Sequence, residues 1–355
     1  MSAVTDRAPT PPSGRAVAAN LAVVYVVFGS TYLAIRVMVE TVPPLFGAGL
    51  RFVVAGALLY GWCAIRRRSP PRLDRRRLVG TGFIGLLVIG GGLGLLTLGE
   101  HSVPSGLAAL LAAAVPVWVV LLRVAHGERI GWATAGGVAC GLLGVAMLSL
   151  IGGTGGTAAV SGILFLLAAA LSEAIGSYYA PRFSVVEDAI LASAVQMLVA
   201  GPVLLVVGVA VGERPDVAEW SGRSVWSLLY LIGPGSILAY VSFVWLVSHT
   251  RTSIATTYTY VNPAVALFLG WLVLDESITV WVMVGAVVVV GGVVAVLIGE
   301  RRAEVRAQDE EGGGEERGSE GREAEGREPR SRGAEARAVE ERDAEADPHS
   351  RSHGA

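Results

Sequence analysis

Long apolar stretches, separated by short polar, glycine-bearing or proline-bearing interruptions, dominate the first 299 residues of the chain. A helix that crosses the hydrocarbon core of a bilayer needs about 20 mostly apolar residues. Ten stretches meet this requirement, at residues 17–39, 45–65, 78–98, 104–124, 131–151, 161–180, 189–211, 225–247, 254–274 and 279–299. The pattern therefore predicts an all-α integral membrane protein with ten transmembrane helices.

The segments outside these helices differ in composition. Residues 1–16 are polar and are predicted to form a cytoplasmic N-terminal segment, and residues 152–160 an external linker between the halves 17–151 and 161–299. Residues 300–355 hold 17 acidic residues and 11 arginines, with almost no large apolar side chain. Such a segment cannot bury enough surface to fold alone, so we expect a disordered, charged cytoplasmic tail. A regulatory docking segment is the alternative.

Arginine is concentrated on one side of the predicted membrane. The loop "RRRSPPRLDRRR" (residues 66–77) holds seven arginines and one aspartate. Basic loops are retained in the cytoplasm, so this loop, and by alternation both chain termini, are predicted to be cytoplasmic. The loops left outside, among them "GEHS" and "DESIT", are neutral or acidic. We therefore expect a multi-pass protein of the cytoplasmic membrane.

An internal repeat relates the two halves of the chain. "FGSTYLAIR" (residues 28–36) matches "AIGSYYAPR" (residues 174–182) at a separation of 147 residues. Each half has five predicted helices, an odd number, so the second half must enter the membrane from the opposite side. Two inverted halves create a pseudo-two-fold axis in the membrane plane, with a cavity at their junction. The repeat therefore favours alternating access to one central site.

A second pair of matching blocks ends each half. The blocks begin at Pro116 and Pro263, again 147 residues apart, whereas Glu128 and Glu276 within them are 148 apart. One residue is therefore missing from the first block, and the turn between the fourth and fifth helices is expected to depart from its counterpart.

With these blocks identified, the chain resembles the drug/metabolite transporter superfamily, and within it the YedA-type inner-membrane transporters. The resemblance rests on "FGSTYLAIRVMVETVPPLFGAGLRFVVAGALL", "GEHSVPSGLAALLAAAVPVWVVLL" and "TTYTYVNPAVALFLGWLVLDESIT". It covers roughly residues 17–299 and excludes the tail. It implies ten transmembrane helices in two inverted five-helix repeats (EamA domains), and a secondary transporter, commonly an exporter of amino acids, metabolites or drugs.

The repeated motif supplies the first candidate residues for binding a substrate. Ser30 and Tyr32 in the first helix match Ser177 and Tyr179 in the sixth. If these pairs lie near the junction of the halves, all four side chains can face one cavity. Arg36, near the end of its helix, is expected to anchor the helix at the outer surface.

Arg51 and Glu173 lie well inside predicted helices, where a charge costs about 2.5–3.5 kcal/mol and normally faces a cavity or a partner. Arg51 could line the substrate path, pair with Glu40 or bind a substrate carboxylate; alternatively, its long side chain extends to the outer headgroups. Glu173 lies near the middle of the sixth helix. It could take part in proton coupling or bind a cationic group, or it could form a hydrogen bond to a neighbouring helix.

Prolines interrupt the helices that begin the second pair of blocks. Pro263 follows Tyr258 and Asn262 in the ninth helix, and Pro116 lies beside Trp118 in the fourth. A proline frees a backbone carbonyl one turn earlier, which nearby polar side chains or a ligand can satisfy. We therefore expect Tyr258, Asn262 and Trp118 to bind substrate at these helix breaks. The alternative is that such polar groups hold helices together.

The composition limits the possible mechanisms. The chain contains no lysine, so it has neither a G-x-x-x-x-G-K-[ST] phosphate-binding loop nor a Schiff-base residue. Transport must then be driven by a gradient. The H-E-x-x-H and G-x-S-x-G motifs of enzymes do not occur either. Two cysteines, both in apolar runs, support neither a disulfide framework nor a metal site.

The sequence therefore predicts a gradient-driven exporter of a small organic solute, not an enzyme, without cofactor or metal. The expected partners are a small-molecule substrate, the lipid bilayer and a coupled proton or exchanged solute. No nucleic acid is expected, and a homodimer is left open. The alternatives are an intramembrane enzyme that acts on lipid or peptide, and a membrane scaffold or sensor that works through its tail.

Overall fold

The computed structural model describes residues 13–66, 74–152, 157–250, 254, 257–300 and 302. The helices of the first half are α1 (Gly14–Met38), α2 (Pro44–Arg66), α3 (Arg75–Glu100), α4 (Ser105–Ala125) and α5 (Trp132–Gly152). Those of the second half are α6 (Thr157–Tyr179), α7 (Ala189–Ala210), α8 (Gly222–His249), α9 (Tyr258–Leu274) and α10 (Val280–Glu300).

Within the described ranges, nine helices are long and apolar enough to cross a membrane, and α9 is a shorter apolar helix. The predicted ten-helix membrane fold is therefore confirmed. The largest differences from the predicted bounds are at α6, which begins at Thr157, and at α9, which begins at Tyr258. The predictions for the start of the N-terminal segment, most of the arginine loop and nearly all of the charged tail concern residues outside the described ranges.

Short polar side chains begin three of the helices. The Ser13 hydroxyl accepts a hydrogen bond from the Ala16 N–H, 3.3 Å away, at the start of α1. The Asp188 carboxylate accepts from the first N–H groups of α7 at 3.1 and 3.0 Å. The Ser221 hydroxyl does the same at the start of α8, at 3.1 Å. These caps satisfy N–H groups that have no partner within the helix.

Helix packing follows a pseudo-two-fold symmetry. Helices at equivalent places in the two halves pack against each other, as α2 does with α7 and α4 with α9. Helix α1 packs against α8 and α9, and its equivalent α6 packs against α3 and α4. Exchanging each helix for its equivalent leaves this pattern unchanged, as expected for two inverted repeats.

Glycines permit the closest approach across this axis. A Cβ atom on Gly49 of α2 would meet the backbone oxygen of Gly201 of α7, and one on Gly137 of α5 would meet that of Gly292 of α10. Small residues at such crossings let backbones pack closely, which is how membrane helices associate without a hydrophobic driving force.

Both halves contain a π-helical segment at the same place. The segments are Leu86–Leu93 in α3 and Gly233–Leu238 in α8, and their first residues are 147 apart, the spacing of the sequence repeat. A π-helical turn disturbs the regular hydrogen bonding of a helix and is frequent at functional sites. The Ser172 hydroxyl donates to the Leu87 carbonyl at 2.8 Å, so α6 compensates part of this disturbance in α3.

The two turns that end the fourth helix of each half both contain a left-handed residue. Gly127, before Glu128, has φ of 87°, and Asp275, before Glu276, has φ of 52°. Both are left-handed, a region that glycine enters freely and aspartate tolerates. The missing residue of the first block therefore leaves this left-handed position in place.

Candidate functional site

A cavity of about 360 Å³ lies between the two halves. Helices α1–α4 and α6–α9 all contribute to its wall, and both π-helical segments lie along it. Ligand sites for small molecules commonly measure about 300–1,000 Å³. This volume is therefore sufficient for one small organic molecule.

Aromatic rings form one wall of the cavity. Phe28 of α1 contacts the rings of Tyr240, Phe243 and Tyr258, with centroid separations of 6.4, 6.3 and 5.5 Å. Phe243 and Tyr258 also meet edge to face at 5.4 Å. Such clusters supply a large apolar surface, and their tyrosines add hydroxyl groups for hydrogen bonding. The predicted residue Tyr258 is part of this wall, which we call the aromatic wall.

Arg51 contributes a buried positive charge to the cavity. Its side chain is 6% exposed, and its Nε donates to the Ser236 hydroxyl at 2.8 Å. Its Nη2 lies 3.5 Å from the Gly235 carbonyl oxygen, in the π-helical segment of α8. The possible partner Glu40 lies instead 4.0 Å from Arg223 at the surface. The guanidinium is thus held by polar groups in the protein interior and lines the cavity.

Glu173 contributes an acidic side chain. Its side chain lines the cavity, as does that of Ser177 one turn further along α6. Tyr32, Tyr240 and Tyr258 all lie within electrostatic range of the Glu173 carboxylate. Arg51 also acts on Tyr240, so that this tyrosine interacts with both charges. The cavity lining therefore contains both a guanidinium group and a carboxyl group.

The prolines of the two predicted helix breaks lie at the cavity, but only Pro116 coincides with a break. Pro116 and Pro263 are both in its lining. Helix α4 is interrupted just before Pro116, where one helical segment ends at Ala112 and the next begins at Val115, whereas α9 continues through Pro263. Asn262 also lines the cavity, and its buried Oδ1 has no hydrogen-bond partner among the described residues. A buried acceptor without a partner is expensive, so a ligand donor would be well placed there.

Three predicted residues lie outside the cavity lining. The Ser30 hydroxyl forms a 2.6 Å hydrogen bond with the Tyr230 hydroxyl of α8, and the Tyr179 hydroxyl lies 3.1 Å from Nε2 of His126. Trp118 is partly buried and packs against the apolar core. The repeated motif therefore places Tyr32 and Ser177 at the cavity, one residue from each half.

Arg36 binds the end of a neighbouring helix. Its Nη1 donates to the backbone carbonyls of Glu100 and His101, at 3.1 and 2.9 Å, at the carboxyl end of α3. A cation at this end of a helix is favourable because the last carbonyls carry partial negative charge. Arg36 thereby joins α1 to α3.

Two carboxylates of the second half cap helices of the first. Glu276, after α9, accepts hydrogen bonds from the backbone N–H of Ser105 at 2.9 Å and of Gly106 at 3.3 Å, where α4 begins. Glu213, after α7, accepts from the N–H groups of Leu45 and Phe46 at 2.9 and 2.8 Å, where α2 begins. Carboxylates are stabilising at helix N-termini. These caps fasten the two halves together at one end of the bundle.

Several cavity residues were not among those predicted from sequence, namely Phe28, Ser236, Tyr240 and Phe243. The sequence could have drawn attention to Phe28, Tyr240 and Phe243, because aromatic residues make up only 7% of the chain and these three lie within predicted helices. Within the described ranges, no cluster of three or more histidine, cysteine, aspartate or glutamate side chains could hold a metal ion.

Ten membrane helices in two inverted repeats, with a cavity of mixed charge at their junction, define the class of membrane transport proteins. The model of the EamA-like transporter family matches this chain twice, at residues 17–150 and at residues 160–298. The chain belongs to this family, as its sequence predicted. Membership implies a small-molecule substrate and a site of action in the lipid bilayer.

Individual relatives agree with this assignment. The chain is 36% identical over 282 residues to the uncharacterized inner membrane transporter YedA of Escherichia coli strain K12, covering 78% of this chain and 89% of that protein. It is 29% identical over 279 residues to the uncharacterized transporter YoaV of Bacillus subtilis, covering 76% and 92%. A solved crystal structure has the same fold, with a TM-score of 0.55 at 20% identity, covering 81% of this chain and 99% of that one.

Proposed function

We propose that the protein is a secondary active transporter that exports a small organic solute, such as an amino acid, a metabolite or a drug, across the cytoplasmic membrane. The observation that carries the proposal is the cavity between the inverted halves, whose lining includes both Arg51 and Glu173. A cavity that offers both charges suits a solute that carries a carboxylate and an ammonium group.

Different side chains around the cavity would bind different parts of the solute. Arg51 has a guanidinium that can bind a carboxylate through two parallel hydrogen bonds. Glu173 can accept hydrogen bonds from a cationic group, and Asn262 offers an acceptor that no described residue uses. The aromatic wall would cover the apolar part of the solute. Together these groups would fix the orientation of a small zwitterion.

Alternating access is supported by the symmetry of the packing. Because the halves are inverted, the same contacts can form at either end of the bundle in turn. In this structure, the Glu213 and Glu276 caps hold one end together. Their release would let α2 and α4 move relative to the second half and expose the cavity at that end.

The distribution of arginines supports an orientation of the protein in the membrane. The "RRRSPPRLDRRR" loop would be cytoplasmic, and with it both termini. The Glu213 and Glu276 caps would then lie at the external end. With no lysine in the chain for a phosphate-binding loop, the energy for export would come from a gradient.

Flux of a panel of labelled metabolites into proteoliposomes, with and without a pH gradient, tests this function. We expect at least one zwitterionic solute to be moved by the wild-type protein. Glu173→Gln and Arg51→Ala should each abolish most of that flux, because each removes one charge from the cavity.

Arg223→Ala is the matched control for Arg51→Ala. Arg223 is half exposed and lies outside the cavity, so its loss should leave flux at the wild-type rate. If no solute moves, the proposed function fails. If a solute moves and both cavity variants transport it normally, the site fails while the function stands.

A further inference from the structure

A second acidic side chain is buried within the helix bundle, outside the cavity lining. Glu100, the last residue of α3, is 0% exposed. Neither of its carboxyl oxygens has a hydrogen-bond partner among the described residues. By contrast, the carboxylates of Glu213 and Glu276 each accept backbone hydrogen bonds. A buried group without partners calls for an explanation in terms of its function.

Close packing keeps water from Glu100 in this conformation. Its neighbour Gly99 fits directly against Leu166 and the backbone of Gly162 on α6, where no side chain would fit. Val103, in the turn that follows α3, is 1% exposed. This end of α3 is sealed between α6 and the beginning of α4.

Charged and titratable groups face Glu100 from several sides. Arg36 of α1 and Arg51 of α2 are within electrostatic range, and so is Glu276, which caps α4. Tyr32 of α1, which lines the cavity, is also within range. His101, the next residue, is exposed. The two arginines attract a negative charge on Glu100, and Glu276 repels it, yet none of them forms a hydrogen bond to its oxygens.

An ionised carboxylate that is buried without hydrogen bonds costs several kcal/mol, even with cations nearby. A neutral carboxylic acid costs far less in the same place. We propose that Glu100 is a proton-binding site whose occupancy is linked to closure of the end of the bundle capped by Glu276. This inference rests on the proposed transport function, and it supplies the group through which a proton gradient would act on that function.

The proton exchange is simple to state. Opening of this end admits water, the O–H bond of the Glu100 carboxyl breaks, and the proton passes to a water molecule. The carboxylate that is left is then solvated and attracted by Arg36 and Arg51. Closing reverses the step, because the carboxyl must regain a proton from water before it can be buried again. A low pH at this end therefore favours the closed state.

Thiol labelling tests the linkage without any transported substrate. The reporter is Val103→Cys in a chain whose Cys63 and Cys140 are replaced by alanine, placed in lipid nanodiscs. Because Val103 is buried in the closed state, its reaction rate with a maleimide, divided by the rate of a fully exposed cysteine at the same pH, measures opening of this end. The division removes the pH dependence of the thiol itself, which reacts as the thiolate. For one linked proton, this rate ratio should rise with pH by up to about tenfold per pH unit.

Glu100→Gln keeps a neutral side chain of the same shape, so its rate ratio should stay low and independent of pH. Glu128→Gln is the control, because Glu128 is the repeat counterpart of Glu276 and is partly exposed in the first half. This variant should keep the pH dependence of the wild type. Infrared pH-difference spectra should also show a protonated carboxyl band that is absent from Glu100→Gln.

The proposal is overturned if Glu100→Gln keeps the wild-type pH dependence. Loss of that dependence in Glu276→Gln alone would then assign the proton to Glu276. If the glutamine variant does not fold, Glu100→Asp serves, since its shorter side chain should shift the midpoint of the pH dependence; an unchanged midpoint contradicts the proposal. Since labelling needs no solute, a failure of the flux experiment leaves this test decisive on its own.

Discussion

At the residue scale, the cavity is defined by a few polar groups in an apolar setting. Arg51 and Glu173 both act on Tyr240, and Asn262 presents an acceptor without a partner among the described residues. Interactions between charges are much stronger in a protein interior than in water. A single hydroxyl placed between two such charges should therefore influence how a solute binds.

Tyr240→Phe should raise the KM for a zwitterionic solute by about 2- to 12-fold, the equivalent of one lost hydrogen bond. The aromatic wall stays intact in this variant, so maximal flux and thermal stability should change little. The measurement is the concentration dependence of flux in proteoliposomes.

Tyr230→Phe is the matched control for this variant. The Tyr230 hydroxyl binds Ser30 outside the cavity, so this substitution should leave KM unchanged. Equal effects of the two substitutions would show that Tyr240 acts on the packing of α8 and not on the solute.

At the scale of helices, the structure combines close glycine crossings with π-helical segments. Gly49 and Gly201 bring α2 and α7 into backbone contact, while the π-helical segments of α3 and α8 lie along the cavity. Tight crossings fix how two helices pack, and irregular turns leave backbone groups that side chains of other helices must satisfy. The glycine crossing therefore belongs to the scaffold of the bundle, and the π-helical segments belong to the cavity wall.

Gly49→Leu should destabilise the protein by about 1–3 kcal/mol, because the new side chain would overlap the backbone of α7. Gly61→Leu, on the same helix, is the control, since a Cβ there meets no atom within 4 Å. Thermal unfolding in detergent should show a clearly lower Tm for the first variant only. A similar Tm for both would mean that the α2–α7 crossing can relax at little cost.

Glu276→Ala should loosen the end of the bundle where α4 begins. Loss of a helix cap costs about 0.5–2 kcal/mol, which corresponds to an increase of about 2- to 30-fold in labelling of Val103→Cys if the cap holds the closed state. Glu128→Ala should have no such effect, because Glu128 pairs with Arg123 at 2.7 Å at the other turn. Unchanged labelling in Glu276→Ala would show that other contacts close this end.

At the scale of the whole molecule, the two repeats are equivalent in fold but not in detail. Tyr32 and Ser177 line the cavity, whereas their repeat partners Tyr179 and Ser30 form hydrogen bonds elsewhere. Glu276 caps a helix of the other half, whereas its partner Glu128 binds Arg123. Such unequal use of equivalent residues is expected when inverted halves adopt one of two alternating states.

A chain that ends after Arg302 should transport at the wild-type rate, because the family match ends at residue 298 and the removed segment is highly charged. Fusion of a reporter protein to this end should report a cytoplasmic location. The measurement is proteoliposome flux of the truncated and full-length proteins at equal amounts. Loss of flux on truncation would favour the alternative in which the tail is the working part.

The sequence by itself determined the ten helices, their inverted repeat and the family. These properties depend on the length of apolar stretches and on the spacing of matching segments, both of which can be read along the chain without knowing which helices pack together. Sequence also identified Arg51 and Glu173 as exceptional, because a charge in a membrane helix is rare and costly wherever it lies.

The tertiary structure alone decided which residues share the cavity. Ser30 and Tyr32 are two residues apart on one helix, yet only Tyr32 lines the cavity, because α8 packs against α1 and binds Ser30. Glu100 belongs to the "GEHS" segment, which the sequence predicted to be an external loop, and only the packing of α4 and α6 around it shows that it is buried. The direction of a side chain depends on helices that are distant in sequence, and no local pattern records it.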